Sequence, residues 1–200
     1  MQPIRKVAVL GGGAWGTAFA IHLAAHTHAL PQVTLYMRSA AQARSIAASR
    51  ENARYLPGIA LPPRVAITSD LSSLRADVLF AATPVAELAA LSRALAAGGV
   101  DAPLVSLAKG FVATPDEPSW TLAHRAMGKF WPHPVGSVSG PTFAVEVARG
   151  LPTALVVATT DDALTRDVAA LVRGETLRAY ASEDVTGVEV GGAVKNVLAI

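Results

Sequence analysis

The stretch Lys6-Val7-Ala8-Val9-Leu10-Gly11-Gly12-Gly13-Ala14-Trp15-Gly16-Thr17-Ala18 decides the fold. Lys6-Leu10 is a continuous apolar run of strand length, as expected of a strand buried on both faces. Gly11-x-Gly13-x-x-Gly16 follows it directly, and an Ala-rich segment from Ala14 to Ala25 reads as a helix. Strand, glycine turn and helix in that order are the context that a dinucleotide-binding turn requires. The first glycine permits the tight turn, the second lets the backbone approach a pyrophosphate, and the third lets helix and strand pack closely. The helix N-terminus adds unpaired N–H groups and positive dipole charge for phosphates.

Outward from that stretch, short apolar runs recur at Val33-Met37, Val65-Ile67, Val78-Ala82, Leu104-Leu107, Val135-Ser139, Leu155-Ala158 and Leu177-Tyr180, separated by segments of helical length. This alternation predicts an α/β fold of Rossmann type, a doubly wound and mostly parallel sheet with helices on both faces. Arg50-Arg64, with Leu56-Pro57-Gly58 and Pro62-Pro63, reads as a loop outside the alternation. Pro115 and Pro118, then Pro132 and Pro134, bracket a short helix expected around Trp120-Met127. From Asp184 onward Val190, Val194, Val197 and Leu198 fall at helical spacing with no stop signal. The expected organisation is a dinucleotide-binding domain over residues 1–182 and, over 183–200, the first helix of an incomplete helical domain.

Bulk properties narrow the classes. The 200 residues are 52% hydrophobic, which excludes a disordered chain. The net charge of +2 makes nucleic acid an unexpected partner. There is no cysteine, hence no disulfide scaffold or thiolate metal site, in keeping with a reducing compartment. The histidines show no ligand spacing with carboxylates, so no metal is expected. Val7 to Met37 contains no charged residue and has the look of a membrane span or leader. Its four interior glycines, three histidines and Pro31 argue instead for a buried strand and core helix.

Two features carry chemistry. The second strand ends Leu35-Tyr36-Met37-Arg38-Ser39, with an arginine where NAD-selective proteins often place an acid for the ribose hydroxyls. Arg38 offers a fork of donors to the 2′-phosphate of NADP, so NADPH is expected to be accepted at least as well as NADH. Of four lysines, Lys109 follows the strand Leu104-Leu107 and so stands at a carboxyl end of the sheet, where open α/β folds bind ligands. Lys195 shares a helix face with Val188, Gly191, Gly192 and Ala199. Two interior glycines cost a helix about 2 kcal/mol, which points to a close approach by another group.

The stretches Gly11-Gly12-Gly13-Ala14-Trp15-Gly16-Thr17-Ala18, Asn52-Ala53-Arg54-Tyr55-Leu56-Pro57-Gly58, Ala108-Lys109-Gly110, Ser139-Gly140-Pro141-Thr142-Phe143-Ala144 and Gly191-Gly192-Ala193-Val194-Lys195-Asn196-Val197 resemble, in order and spacing, the bacterial NAD(P)-dependent glycerol-3-phosphate dehydrogenases. The resemblance implies reversible reduction of dihydroxyacetone phosphate to sn-glycerol 3-phosphate with NAD or NADP, for glycerophospholipid synthesis in the cytoplasm. It implies Lys195 as general acid and base, and Lys109 as a contact to both substrate and cofactor. Gly140 and Thr142 would bind substrate, through a backbone N–H and a hydroxyl. Gly11, Gly13, Ala14, Trp15, Gly16, Arg38 and Ala144 would hold the cofactor. A buried ammonium beside a second cation can stabilise an alkoxide and donate the proton, with its pKa lowered toward the working range.

The segment His26-Thr27-His28-Ala29-Leu30-Pro31-Gln32 is longer than the resemblance leads one to expect. The resemblance also implies a helical second domain with an Arg-Asn pair gripping the substrate phosphate. None of it lies within these residues, so this chain is expected to bind dinucleotide and turn over poorly. The alternatives are another lysine-dependent reductase, of β-hydroxyacid or ketopantoate type, and a dinucleotide-sensing module without chemistry. A homodimer is left open, and no membrane partner is expected.

Overall fold

The computed structural model describes residues 4–27, 29, 31–113 and 120–198, with the side chains of 196–198 excepted. Pro115, Pro118, His28, Leu30 and the exit of the last helix beyond Leu198 lie outside the described residues. Eight strands form one sheet: β1 (Lys6–Leu10), β2 (Gln32–Tyr36), β3 (Val65–Thr68), β4 (Val78–Ala81), β5 (Leu104–Ser106), β8 (Val135–Ser139), β9 (Thr153–Thr159) and β10 (Leu177–Ala181). Between β5 and β8 a two-stranded hairpin pairs β6 (Val112–Ala113) with β7 (Trp120–Thr121). The helices are α1 (Ala14–Ala25), α2 (Ala40–Ser49), α3 (Leu88–Ala97), α4 (Ala123–Gly128), α5 (Ala144–Ala148), α6 (Asp162–Val172) and α7 (Val185–Leu198).

The strand order is β10-β9-β8-β5-β4-β1-β2-β3. The chain winds from β1 outward through β2 to β3, then returns to place β4 on the other side of β1. Every pairing in the sheet is parallel except β8 with β9, so β9 and β10 run against the rest. The carboxyl ends of β1, β4, β5 and β8 therefore share one edge of the sheet, and the reversal of winding at β1 opens a crevice there. Two residues expected to be helical are strand instead: Trp120 and Thr121 pair in the hairpin, and the short helix begins only at Ala123.

The uncharged run is explained by burial. Every residue of α1 from Gly16 to Ala24 is buried. A helix apolar on all sides must be covered on all sides. The sheet lies beneath it, α5 packs alongside, and Phe19 meets Phe80 of β4 edge-on, with ring centroids 4.9 Å apart. At twelve residues α1 is about 18 Å long. Among the described residues no helix is long and apolar enough to cross a membrane.

One polar group inside this core links α1 to α6. His22 is 1% exposed, and its Nε2–H donates to the Val172 carbonyl at 2.7 Å. Burial, opposed by that carbonyl and reinforced by nearby His26, pushes its pKa from 6.5 down to about 4. Between those values the unfolded chain binds the extra proton, so stability present above pH 6.5 is lost as the pH falls toward 4. The full loss amounts to about 3 kcal/mol. His22→Gln keeps a donor for Val172 without a titrating ring. Urea midpoints measured at pH 7 and pH 4.5 should fall less steeply for the variant than for the parent protein, and equal slopes would refute this account.

Candidate active site

The glycine turn lies at the crevice. Gly11 has φ +138, a conformation that residues with a side chain rarely adopt, and a Cβ there would stand 2.5 Å from the Ala82 carbonyl oxygen at the end of β4. A Cβ on Gly16 would be 2.0 Å from the Gly11 carbonyl oxygen, so α1 rests on the turn only because that atom is absent. A Cβ on Gly13 would meet nothing within 4 Å. Gly13 caps α1 without a side-chain hydrogen bond, and no acid stands in the first turn. The first N–H groups of α1 are thus left for an anion.

Two amides hold the turn from behind. Gln42 Nε2 and Asn52 Nδ2 donate to the Gly12 carbonyl at 2.7 and 2.9 Å, and Asn52 also donates to Thr17 Oγ1 at 2.7 Å. Asn52 is buried, and the segment carrying it is pinned in turn. The Arg50 guanidinium donates to the Pro62 and Val65 carbonyls, and Glu51 accepts from the Gly58 N–H at 2.8 Å. The loop read from its prolines is therefore a fixed support for the turn.

A cleft of about 660 Å³ runs from the turn past Met37, Arg38, Tyr55, Thr83 and Glu87. Arg38 is 86% exposed at its rim, and its guanidinium stands 3.8 Å from the Glu87 carboxylate on the opposite wall. Thr83 Oγ1 and Trp15 Nε1 are buried without a hydrogen-bond partner among the described residues. Cleft, open helix terminus and bare Gly13 together fit an elongated ligand bearing phosphates, and a dinucleotide has that shape and charge.

Next to the cleft the two lysines converge. Lys109, just past β5, donates from Nζ to the Gly140 carbonyl at 2.8 Å and lies 5.9 Å from the centre of the Trp15 ring. Lys195, on α7, lies over Phe143 at 5.5 Å. Burial first, then the charge and hydrogen bonding of neighbouring Lys195, bring the Lys109 amine from 10.5 down to about 8. A second cavity of about 400 Å³ opens beside them, lined by Ser139, Gly140, Pro141, Asp184, Gly191 and Lys195. Thr142 is 7% exposed, and its hydroxyl has no partner among the described residues.

The paired glycines of α7 play different parts. A Cβ on Gly192 would be 2.4 Å from Ser139 Oγ, so the close approach inferred from sequence is between α7 and β8. Gly191 meets nothing within 4 Å and lines the cavity, so the same inference does not hold for it. Ala14 opens α1 on the far side of Gly13, and Ala144 opens α5 and packs against the core. Sequence reasoning missed Gln42, Asn52 and Glu87. An asparagine or glutamine in a polar segment gives no local sign of the backbone carbonyl it will reach.

The family described as NAD-dependent glycerol-3-phosphate dehydrogenase N-terminus matches residues 6–165. A glycerol-3-phosphate dehydrogenase [NAD(P)+] of Paracidovorax citrulli is 45% identical over 98% of this chain and 59% of its own length. One from Variovorax paradoxus is 47% identical over 98% and 58%. The crystal structure of glycerol-3-phosphate dehydrogenase from Coxiella burnetii superposes with a TM-score of 0.87 at 28% identity, covering 98% of this chain and 59% of that one. The chain spans somewhat under three-fifths of the length of these relatives. With the glycine turn, the open helix terminus and the convergent lysines in place, it belongs to the NAD-dependent glycerol-3-phosphate dehydrogenase family.

Proposed function

We propose that the intact protein reduces dihydroxyacetone phosphate reversibly to sn-glycerol 3-phosphate with NADH or NADPH, in the cytoplasm, for glycerophospholipid synthesis. The observation that carries this reading is the meeting of Lys109 and Lys195, from distant segments, beside a glycine turn built for a pyrophosphate. Residues 1–182 form the dinucleotide-binding domain in this reading, and 183–200 begin the helical substrate domain.

Gly11, Gly13 and Gly16 with Ala14 would cradle the pyrophosphate, while Trp15 and Ala144 would line the cofactor. When bound, the nicotinamide would supply the hydride for C2. As charge grows on the C2 oxygen, Lys195 stabilises it and gives up a proton. Lys109, fixed on the Gly140 carbonyl, holds substrate against cofactor. Gly140 and the Thr142 hydroxyl position the substrate, and the unpartnered state of that hydroxyl agrees with a ligand completing its bonding. A half-buried lysine neighbour with a pKa of about 8 also makes retention of both protons costly, which favours donation from the pair.

Oxidation of NADPH by the intact protein on addition of dihydroxyacetone phosphate is the direct test. Lys195→Met should lower kcat by roughly 10³-fold while leaving the NADH dissociation constant unchanged. A dinucleotide-sensing module would be indifferent to that change, so normal turnover in the variant excludes the reading. Arg38→Ala should weaken NADPH binding by roughly tenfold and NADH binding little, because only the former carries a 2′-phosphate for the guanidinium. Fluorescence titrations with both nucleotides decide it, and equal losses would show that Arg38 does not read the phosphate.

A further inference from the structure

Beneath the lysine pair lies a charged group that the proposed reaction does not use. Glu189, on α7, is 6% exposed. Its Oε1 accepts from Ser137 Oγ of β8 at 2.6 Å and from the His124 backbone N–H at 2.9 Å, and its Oε2 accepts from His124 Nδ1 at 2.7 Å. A buried carboxylate is costly unless its lone pairs are met, and here three donors meet them. The His124 N–H lies in the first turn of α4, where the N-cap residue Leu122 supplies no side-chain bond. One side chain thus joins α7, β8 and α4.

Position along α7 gives the cluster its meaning. Glu189, Gly192 and Lys195 follow one another at intervals of three, a strip running along the helix surface. Glu189 is bonded to Ser137, Gly192 lies bare against Ser139 two residues further along the same strand, and Lys195 comes next, beside Lys109. The glycine contact allows α7 to approach β8 closely but, having no side chain, does little to fix its rotation. The carboxylate does, since its three bonds are directional and come from two elements. Apolar groups of similar volume would fill such a space at comparable stability, so a buried ionic cluster is better suited to specifying an arrangement than to strengthening it.

We propose that Glu189 is a positioning residue, which by clamping α7 to β8 and α4 sets the helix rotation at which Lys195 faces Lys109. The role rests on the proposed function only in assigning Lys195 to proton donation; the clamp itself can be read without turnover.

These 200 residues hold four lysines, Lys6, Lys109, Lys129 and Lys195, so NMR titration of this chain labelled at the lysine side-chain carbons resolves each amine. Glu189→Ala should move the Lys109 titration upward from about 8 by the part that Lys195 contributes, as Lys195 turns away, with burial still holding it below the ordinary 10.5. Glu189→Gln should hold it near the parent value. Its amide oxygen can still accept from Ser137 and His124 N–H, and its NH₂ can donate to the other His124 tautomer. In the intact protein Glu189→Ala should lower kcat by roughly a hundredfold at unchanged nucleotide affinity. A lower melting temperature with Lys109 still titrating near 8 would reduce Glu189 to a structural role and overturn the proposal. If Glu189→Ala does not fold, Ser137→Ala, which removes a single bond, takes its place in the titration: an upward move of Lys109 supports the clamp, and an unmoved Lys109 overturns it. Normal turnover in Lys195→Met would sink the function but leave the clamp to be judged by the titration alone.

Discussion

Like charges gather only where other contacts hold them. Two unit charges a few ångström apart repel, the more so away from bulk water, and the meeting of Lys109 and Lys195 sets such a repulsion against the contacts around them. Three devices oppose it. The Gly140 carbonyl accepts a hydrogen bond from Lys109, the faces of Trp15 and Phe143 lie near the two ammoniums, and α7 is pressed onto β8 where Gly192 lacks a side chain. None of these would suffice if α7 could slide or rotate. Burial first, and then the charge and hydrogen bonding of Lys195, account for the lowered pKa of Lys109.

The nucleotide end of the site has a parallel logic with the opposite sign. Where the lysines are cations held together, the uncapped start of α1 beyond the turn offers N–H groups to an anion. α1 has no acid in its first turn and no side-chain cap, and the carbonyl of Gly12, which would oppose an anion if it turned inward, is held by Gln42 and Asn52. Both supports come from outside the β1–turn–α1 unit. The motif is thus sufficient to indicate phosphate binding but relies for its geometry on α2 and on the loop that follows it.

The unit from Lys6 to Ala25 can be read residue by residue because each of its constraints is local: a strand buried on both faces, a glycine at positive φ, a helix without charge. The eight sheet strands are visible in the sequence for the same reason. The direction of β9 is not, because an apolar run reads the same both ways and only the register of Ser139 against Val156 fixes it. Nor is the β6–β7 hairpin, whose paired strands of two residues are too short to show alternation. At the lysine site, the glycines near Lys195 suggest close packing from sequence alone. Which of the two packs, and which opens onto a cavity, depends on the angle at which α7 meets the sheet, and no local pattern encodes that.

Docking of α7 ties the two halves of the site to one frame. Lys195 sits on a helix fixed to β8 through Gly192 and Glu189, while Lys109 and the glycine turn sit on β5 and β1 of the same sheet. Reactive groups misplaced by about 1 Å can lose a hundredfold in rate. Here the glycine turn and Lys109 lie within three residues of the ends of β1 and β5, so their spacing follows that of the strands at the carboxyl edge. The turn and both amines thus share one frame, and the cavity lined by Gly191 and Asp184 is the side on which other groups can approach.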